Sequence, residues 1–197
     1  MKLKLIGGRR IESPKSNLTR PTSSIVREAL FNILGNNINQ SNWLDLFSGT
    51  GTIACEAYNH GAKKIVAIEK NRKIAEICFN NLLSLENAAN RINDFEVICK
   101  DVISWTKPRN ENLILSKIIE LDKDKFDFIY LDPPYKADYY SLLIKQIFES
   151  NLIKSSTLII CEHSKNSQIQ ENLIYKIKDM RIYGQTQLTF LVKVQHP

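Results

Sequence analysis

The sequence predicts an α/β domain: a doubly wound, mainly parallel sheet of about seven strands, with an antiparallel strand near the C-terminus and a short N-terminal β-hairpin. Three observations lead there. From residue 43 onward, short apolar runs alternate with longer segments of helical period. The polar motifs follow the apolar runs, at the carboxyl ends of strands, where open α/β sheets bind ligands. The length of 197 residues, with 43% hydrophobic and 24% charged, suits one globular body.

The elements follow in order. Lys2 to Ile6 alternates polar and apolar, Gly7-Gly8 suits a tight turn, and Arg9 to Glu12 can return as a second strand. Residues 1–19 are read as a basic hairpin or arm, and residues 20–197 as the main domain. Pro14 to Thr19 reads as a loop. A helix is expected over 22–34, with Thr22 or Ser23 as its N-cap and Gly35 at its end. Its apolar stripe would be Ile25, Val26, Ala29, Leu30, Ile33 and Leu34.

Trp43 to Phe47 reads as a buried strand, Ser48 to Gly51 as a glycine loop, and Thr52 to His60 as a helix. Lys64 to Glu69 is the next strand, and Asn71 to Leu85 a helix with Ile74, Ile77, Cys78 and Leu82 inward. Phe95 to Cys99 is a third strand. A charged, partly helical insertion covers 106–125. Phe126 to Leu131 forms a fourth strand, stopped by Asp132-Pro133-Pro134-Tyr135, because proline cannot continue a ladder. A helix over Tyr139 to Ser150, a strand over Thr157 to Cys161, and an antiparallel pair over Tyr175 to Ile182 and Gln187 to Val194 complete the chain. Trp43, Phe79 and Phe128 are expected in the core.

Charge is concentrated at one end. The chain carries 27 basic and 21 acidic residues. Lys2, Lys4, Arg9, Arg10, Lys15, Arg20 and Arg27, against Glu12 alone, hold the whole excess of +6. A basic arm on a neutral body suggests a polyanion, with nucleic acid ahead of acidic lipid; the alternative is a solvated tail that only aids solubility. No apolar run approaches the ~18 residues of a membrane helix. The N-terminus is too poor in apolar residues for a secretory signal, so a cytoplasmic protein is expected. Cys55, Cys78, Cys99 and Cys161 are scattered, without metal-ligand spacing, and are expected as reduced, buried thiols; no metal is expected.

Two constellations carry chemistry. In the first, Asp45, Phe47, Ser48, Gly49 and Gly51 surround a G-x-G-x-x-A loop between a strand and a helix. Glycines let a ligand approach the backbone. Glu69 ends the next strand, where a carboxylate can accept both ribose hydroxyls. Asp101 follows the third strand, where it could help hold an adenine. Together these predict a nucleoside-cofactor site, but a dinucleotide and S-adenosylmethionine fit the loop equally well.

The second constellation, Asp132-Pro133-Pro134-Tyr135, separates them. A stiff turn would hold the Asp132 carboxylate and the Pro133 carbonyl as paired acceptors for an exocyclic amine, and Tyr135 would offer the base a flat face. A dehydrogenase leaves this turn unexplained. Glu162-His163, at a strand end, could line the pocket or face solvent as a turn.

Asp132 to Tyr135 with the Gly49/Gly51 loop resembles the class I, amino-directed S-adenosylmethionine methyltransferases. The blocks Ile6-Gly7-Gly8, Arg20-Pro21-Thr22, Arg27-Glu28-Ala29-Leu30-Phe31-Asn32, Asp45 to Gly51, Glu56-Ala57 and Gly61-Ala62 narrow this. They resemble the RsmD family of 16S rRNA (guanine-N2)-methyltransferases over roughly residues 4–163. The resemblance implies a Rossmann-like methyltransferase sheet and S-adenosylmethionine as cofactor, held by Asp45 to Gly51, Glu69 and Asp101. It implies a target-base site at Asp132, Pro133 and Tyr135, with Arg20 and Thr22 bordering it. The implied substrate is one guanine of 16S rRNA in the small ribosomal subunit or a late assembly intermediate, and a monomer is expected. Adenine-N6 methylation of DNA shares the Asp-Pro-Pro-Tyr chemistry but normally needs a target-recognition domain. A non-catalytic RNA-binding assembly factor on the same fold is the other alternative.

Overall fold

The computed structural model describes residues 2–14, 22–89, 94–107, 125–134 and 139–194. Lys15, Arg20, Tyr135, the loop after Pro14 and most of the 106–125 insertion lie outside the described residues. The chain divides into two compact units, residues 1–102 and 103–197. The main sheet has seven strands, as the alternation of apolar runs predicts.

In the first unit, β1 (Lys2–Lys4) and β2 (Arg10–Glu12) form the expected antiparallel hairpin, with Lys2 opposite Glu12. Gly7 and Gly8 take φ of 84° and 96°, the left-handed region that this turn requires. Leu5 and Ile11 are buried, whereas Lys2, Lys4, Arg9 and Arg10 are exposed. Helix α1 (Ser24–Leu34) starts at Ser23, whose side chain accepts the Val26 amide at 3.3 Å, and ends at Gly35. Its buried stripe is Val26, Arg27, Leu30, Phe31 and Leu34. Ile25 and Ile33, expected inward, face solvent at 67% and 40% exposure, because each lies one position before the buried i, i+4, i+8 line through Val26.

Strand β3 (Asn42–Leu46) is buried throughout. Helix α2 (Thr52–Asn59), strand β4 (Lys64–Glu69), helix α3 (Arg72–Ala89) and strand β5 (Asp94–Cys99) follow. The strands lie in the order β5-β4-β3, all parallel, with Leu46 beside Ile68 and Glu69 beside Cys99. Helix α3 buries Ile74, Cys78 and Leu82 as expected, together with the polar Asn81. Phe79, expected in the core, is 45% exposed, with its ring centroid 5.6 Å from that of Phe95. Its partner strand is the sheet edge.

Helix α4 (Val102–Thr106) spans the boundary between the units. The second unit contains β6 (Phe126–Leu131), α5 (Tyr140–Phe148), β7 (Ile153–Ser164), β8 (Tyr175–Tyr183) and β9 (Thr186–Lys193). Their order is β6-β7-β9-β8. Strand β7 is parallel to β6, and β9 is antiparallel to both β7 and β8, so the predicted C-terminal antiparallel element is a hairpin whose second strand inserts beside β7. All four cysteines are free; Cys55, Cys78 and Cys161 are buried, but Cys99 is exposed on the edge strand. Among the described residues no helix is long and apolar enough to cross a membrane.

Candidate functional site

The first unit places most of the predicted cofactor residues around one turn. After β3 the chain bends through Phe47 (φ 65°), Ser48, Gly49 (φ 54°), Thr50 and Gly51 (φ 77°) into α2. A side chain at φ > 0 is unusual outside glycine, so Phe47 marks a backbone that the surrounding structure must hold. The hold is visible: Ser48 donates its amide to the Ile68 carbonyl at 2.9 Å, and Gly51 to the Ser48 carbonyl at 2.8 Å.

The two glycines serve different purposes. A Cβ on Gly49 would meet nothing within 4 Å, so its surroundings leave room for a ligand. A Cβ on Gly51 would meet Cys78 Sγ at 2.5 Å, so that glycine is needed for packing of the loop against α3. Glu69 sits against the turn. Its Oε2 accepts the Gly49 amide at 3.1 Å and its Oε1 accepts the Asn71 amide at 2.8 Å. Each carboxylate oxygen keeps a further lone pair for a hydroxyl donor.

Asp45 stands differently from the expectation of a ligand contact. It is 1% exposed and accepts the Ala54 amide at 3.1 Å, tying β3 to the first turn of α2. Burial, reinforced by the nearby Glu69 charge, pushes its carboxyl up to about 8. Asp45 therefore holds the loop rather than facing solvent. Asp101 is exposed immediately ahead of α4.

In the second unit, β6 stops at Leu131, leaving Asp132 half-buried, Pro133 buried and Pro134 exposed. One residue beyond the register pair Leu131 and Cys161 lie Asp132 and Glu162. Glu162-His163 is no solvent-facing turn. Both are buried, at 4% and 2% exposure, inside a strand that runs three residues past Cys161. Tyr130 donates its hydroxyl to Glu162 Oε2, and Tyr140 donates to the Glu162 carbonyl. The His163 ring sits between the Ser164 carbonyl and Thr189 Oγ1, each at 2.8 Å, and burial lowers its affinity for a second proton.

Of the basic residues assigned to nucleic acid, Lys2, Lys4, Arg9 and Arg10 are on the surface. Thr22 is buried at 9% exposure. Arg27 corrects the expectation: it is 4% exposed, and its guanidinium donates to Glu56 Oε1 at 2.8 Å and to the Lys4 carbonyl at 3.0 Å. A cation so enclosed cannot meet a phosphate. Sequence reasoning missed Glu56 and Asn81 as structural anchors. Their signal is a polar residue inside an apolar stretch: Glu56 between Cys55 and Ala57, and Asn81 beside Leu82.

The family model described as conserved hypothetical protein 95 matches residues 4–192. Ribosomal RNA small subunit methyltransferase D of Haemophilus influenzae is 31% identical over 163 residues, which is 82% of this chain and 77% of that relative. A solved structure from Escherichia coli, described as a candidate methyltransferase, matches with a TM-score of 0.76 at 20% identity over 98% of both chains. Another, described as a candidate methyltransferase complexed with SAH, matches with a TM-score of 0.60 at 18% identity over 87% of this chain and 49% of that one. These two likenesses establish the α/β methyltransferase fold.

Proposed function

The chain belongs to the conserved hypothetical protein 95 family, the RsmD-type rRNA methyltransferases, and from that membership we propose that it methylates the N2 amine of a guanine in 16S rRNA. The coarser activity, methylation of small-subunit rRNA, is the one its relatives' names carry, and a structural neighbour complexed with SAH supports S-adenosylmethionine as the methyl donor. When bound, S-adenosylmethionine supplies an electrophilic sulfonium methyl. The residues of the loop fit such a cofactor: Gly49 leaves the backbone approachable, and Glu69 presents a fixed carboxylate to ribose hydroxyls. Asp101 is assigned to the adenine.

The target amine is the work of the second unit. The observation that supports an exocyclic amine as the target is the strand end at Asp132, where a half-buried carboxylate is followed by a buried proline, and guanine as the base follows from the family. Asp132 and the Pro133 carbonyl accept the two N–H groups of the exocyclic amine, which frees the nitrogen lone pair from the ring. Tyr135 stacks on the base. Once the nitrogen becomes cationic its proton is acidic, and Asp132 removes it directly or through water. Orientation and exclusion of water supply most of the acceleration, since the methyl donor is already activated.

Lys2, Lys4, Arg9 and Arg10, with Lys15 and Arg20, contact phosphates. The substrate is the small ribosomal subunit or a late assembly intermediate in the cytoplasm, and the enzyme acts as a monomer. The test is incubation of the protein with labelled S-adenosylmethionine and small subunits from cells that lack it, followed by nucleoside analysis. N2-methylguanosine is expected. Label in another nucleoside, or none, would contradict the reading.

A further inference from the structure

Asn81 joins two parts of the first unit that are far apart in sequence. It lies on α3, 2% exposed. Its Nδ2 donates to the Thr50 carbonyl at 2.9 Å and to the Glu12 carbonyl at 3.0 Å, and its Oδ1 accepts the Glu12 amide at 2.8 Å. Thr50 lies between Gly49 and Gly51 in the loop, and Glu12 ends β2 of the hairpin. One buried amide thus holds loop backbone with one hydrogen and hairpin backbone with the other. The opposite amide orientation would set an oxygen against two carbonyls and an NH₂ against an N–H, so this orientation is the one that satisfies all the groups. A second tie runs in parallel, since Glu56 on α2 accepts the Ile6 amide of the hairpin at 2.8 Å.

We propose that Asn81 is a positioning residue that couples the basic hairpin to the cofactor loop, so that cofactor and rRNA each strengthen binding of the other. The proposal rests on the reading that the loop binds S-adenosylmethionine and the hairpin binds rRNA. A cofactor that settles the Thr50 carbonyl fixes the Asn81 amide, and the same amide fixes the Glu12 end of β2. Releasing either bond strands a buried polar group, so the two segments order together. Linkage makes the effect reciprocal.

The experiment measures affinity for small subunits with and without saturating S-adenosylhomocysteine, by filter binding. Wild-type protein should bind subunits about fivefold or more tightly with the cofactor product present, the lower end of ordinary coupling. Asn81→Asp keeps the shape but turns the donor into an acceptor facing two carbonyls; its ratio should fall from the wild-type value towards one, the Glu56 tie holding any remainder. A measurement on the wild-type chain alone stands beside it: S-adenosylhomocysteine should slow hydrogen exchange of the Glu12 amide. Equal subunit affinity with and without the product, an unchanged Glu12 amide, or an Asn81→Asp ratio equal to wild type would each overturn the coupling. Binding of both ligands without linkage overturns this proposal alone, whereas failure of the wild-type protein to bind either ligand overturns the functional reading as well.

Discussion

Arg27 Nη1 lies 2.8 Å from Glu56 Oε1, and the same oxygen accepts the amide of Ile6, so one buried ion pair also anchors the N-terminal hairpin. Both side chains are almost wholly enclosed. Burial raises the Glu56 carboxyl, although the Ile6 amide and the Arg27 charge act against it. Removing one partner leaves the other charged and desolvated. Arg27→Met should therefore cost about 3–5 kcal/mol of stability in urea unfolding, and pairing it with Glu56→Gln should recover part of the loss. A single variant within about 1 kcal/mol of wild type would mean that the pair is not intact in solution.

The exposed cations can be tested without disturbing that anchor. Deleting residues 1–19 would uncover the seats of Leu5 and Ile11 and strip Ile6 from Glu56, so it would report on folding as well as binding. Arg9→Gln with Arg10→Gln changes only exposed charge. Every phosphate that the variant no longer neutralises should flatten the salt dependence of subunit binding by roughly 0.7–0.9 in log–log slope. Affinity for S-adenosylhomocysteine should stay as in wild type. An unaltered slope would remove the hairpin from the rRNA interface.

The two loop glycines should separate stability from ligand binding. Gly49→Ala meets open space and bears only the left-handed strain, about 1–2 kcal/mol. Gly51→Ala bears similar strain and also collides with Cys78 Sγ, adding about 1–3 kcal/mol of overpacking. Urea unfolding should rank Gly51→Ala as the less stable. Calorimetry should show the larger relative loss of S-adenosylhomocysteine affinity in Gly49→Ala, whose methyl occupies the ligand's approach. The reverse order in calorimetry would place the ligand elsewhere.

Asp45 gives a pH signature. Its carboxyl rises from an ordinary 3.8 to about 8 in the folded protein. Between those values the folded state keeps a proton that the unfolded chain has released. Its contribution to stability therefore falls as pH rises from about 4 to about 8, by about 1.4 kcal/mol per pH unit, and is level above that. Denaturation midpoints across this range should slope less in Asp45→Asn than in wild type. Parallel profiles would show that Asp45 titrates normally.

Much of this was legible in the sequence because it depended on local spacing. The strand, the glycine turn and Glu69 follow from one βαβ unit, and the hairpin follows from alternation around Gly7-Gly8. What stayed hidden depended on partners distant in the chain. Arg27 resembles any other arm cation until Glu56, 29 positions away, encloses it. Asn81 reads as a helix surface residue until Glu12, 69 positions away, comes to it. Phe79 has helical spacing for the core, but the strand beside it is an edge and leaves the ring in solvent. Glu162-His163 looked terminal because apolar residues end at Cys161, whereas hydrogen bonds from Tyr130 and Thr189 let the strand continue with polar residues inside.

Under the proposed function, Asp132 acts on the target amine and not on the cofactor. The most direct measurement is the single-turnover methylation rate of Asp132→Asn, with small subunits and S-adenosylmethionine both saturating. Asparagine keeps the shape of the turn but can present an NH₂ donor to the substrate amine and cannot take its proton. The rate should fall by roughly 10²-fold or more, the usual scale for removing one preorganised transition-state interaction, while S-adenosylhomocysteine affinity remains at the wild-type value. Methylation at the wild-type rate would contradict the account and leave Asp132-Pro133-Pro134-Tyr135 as a turn that merely ends a strand.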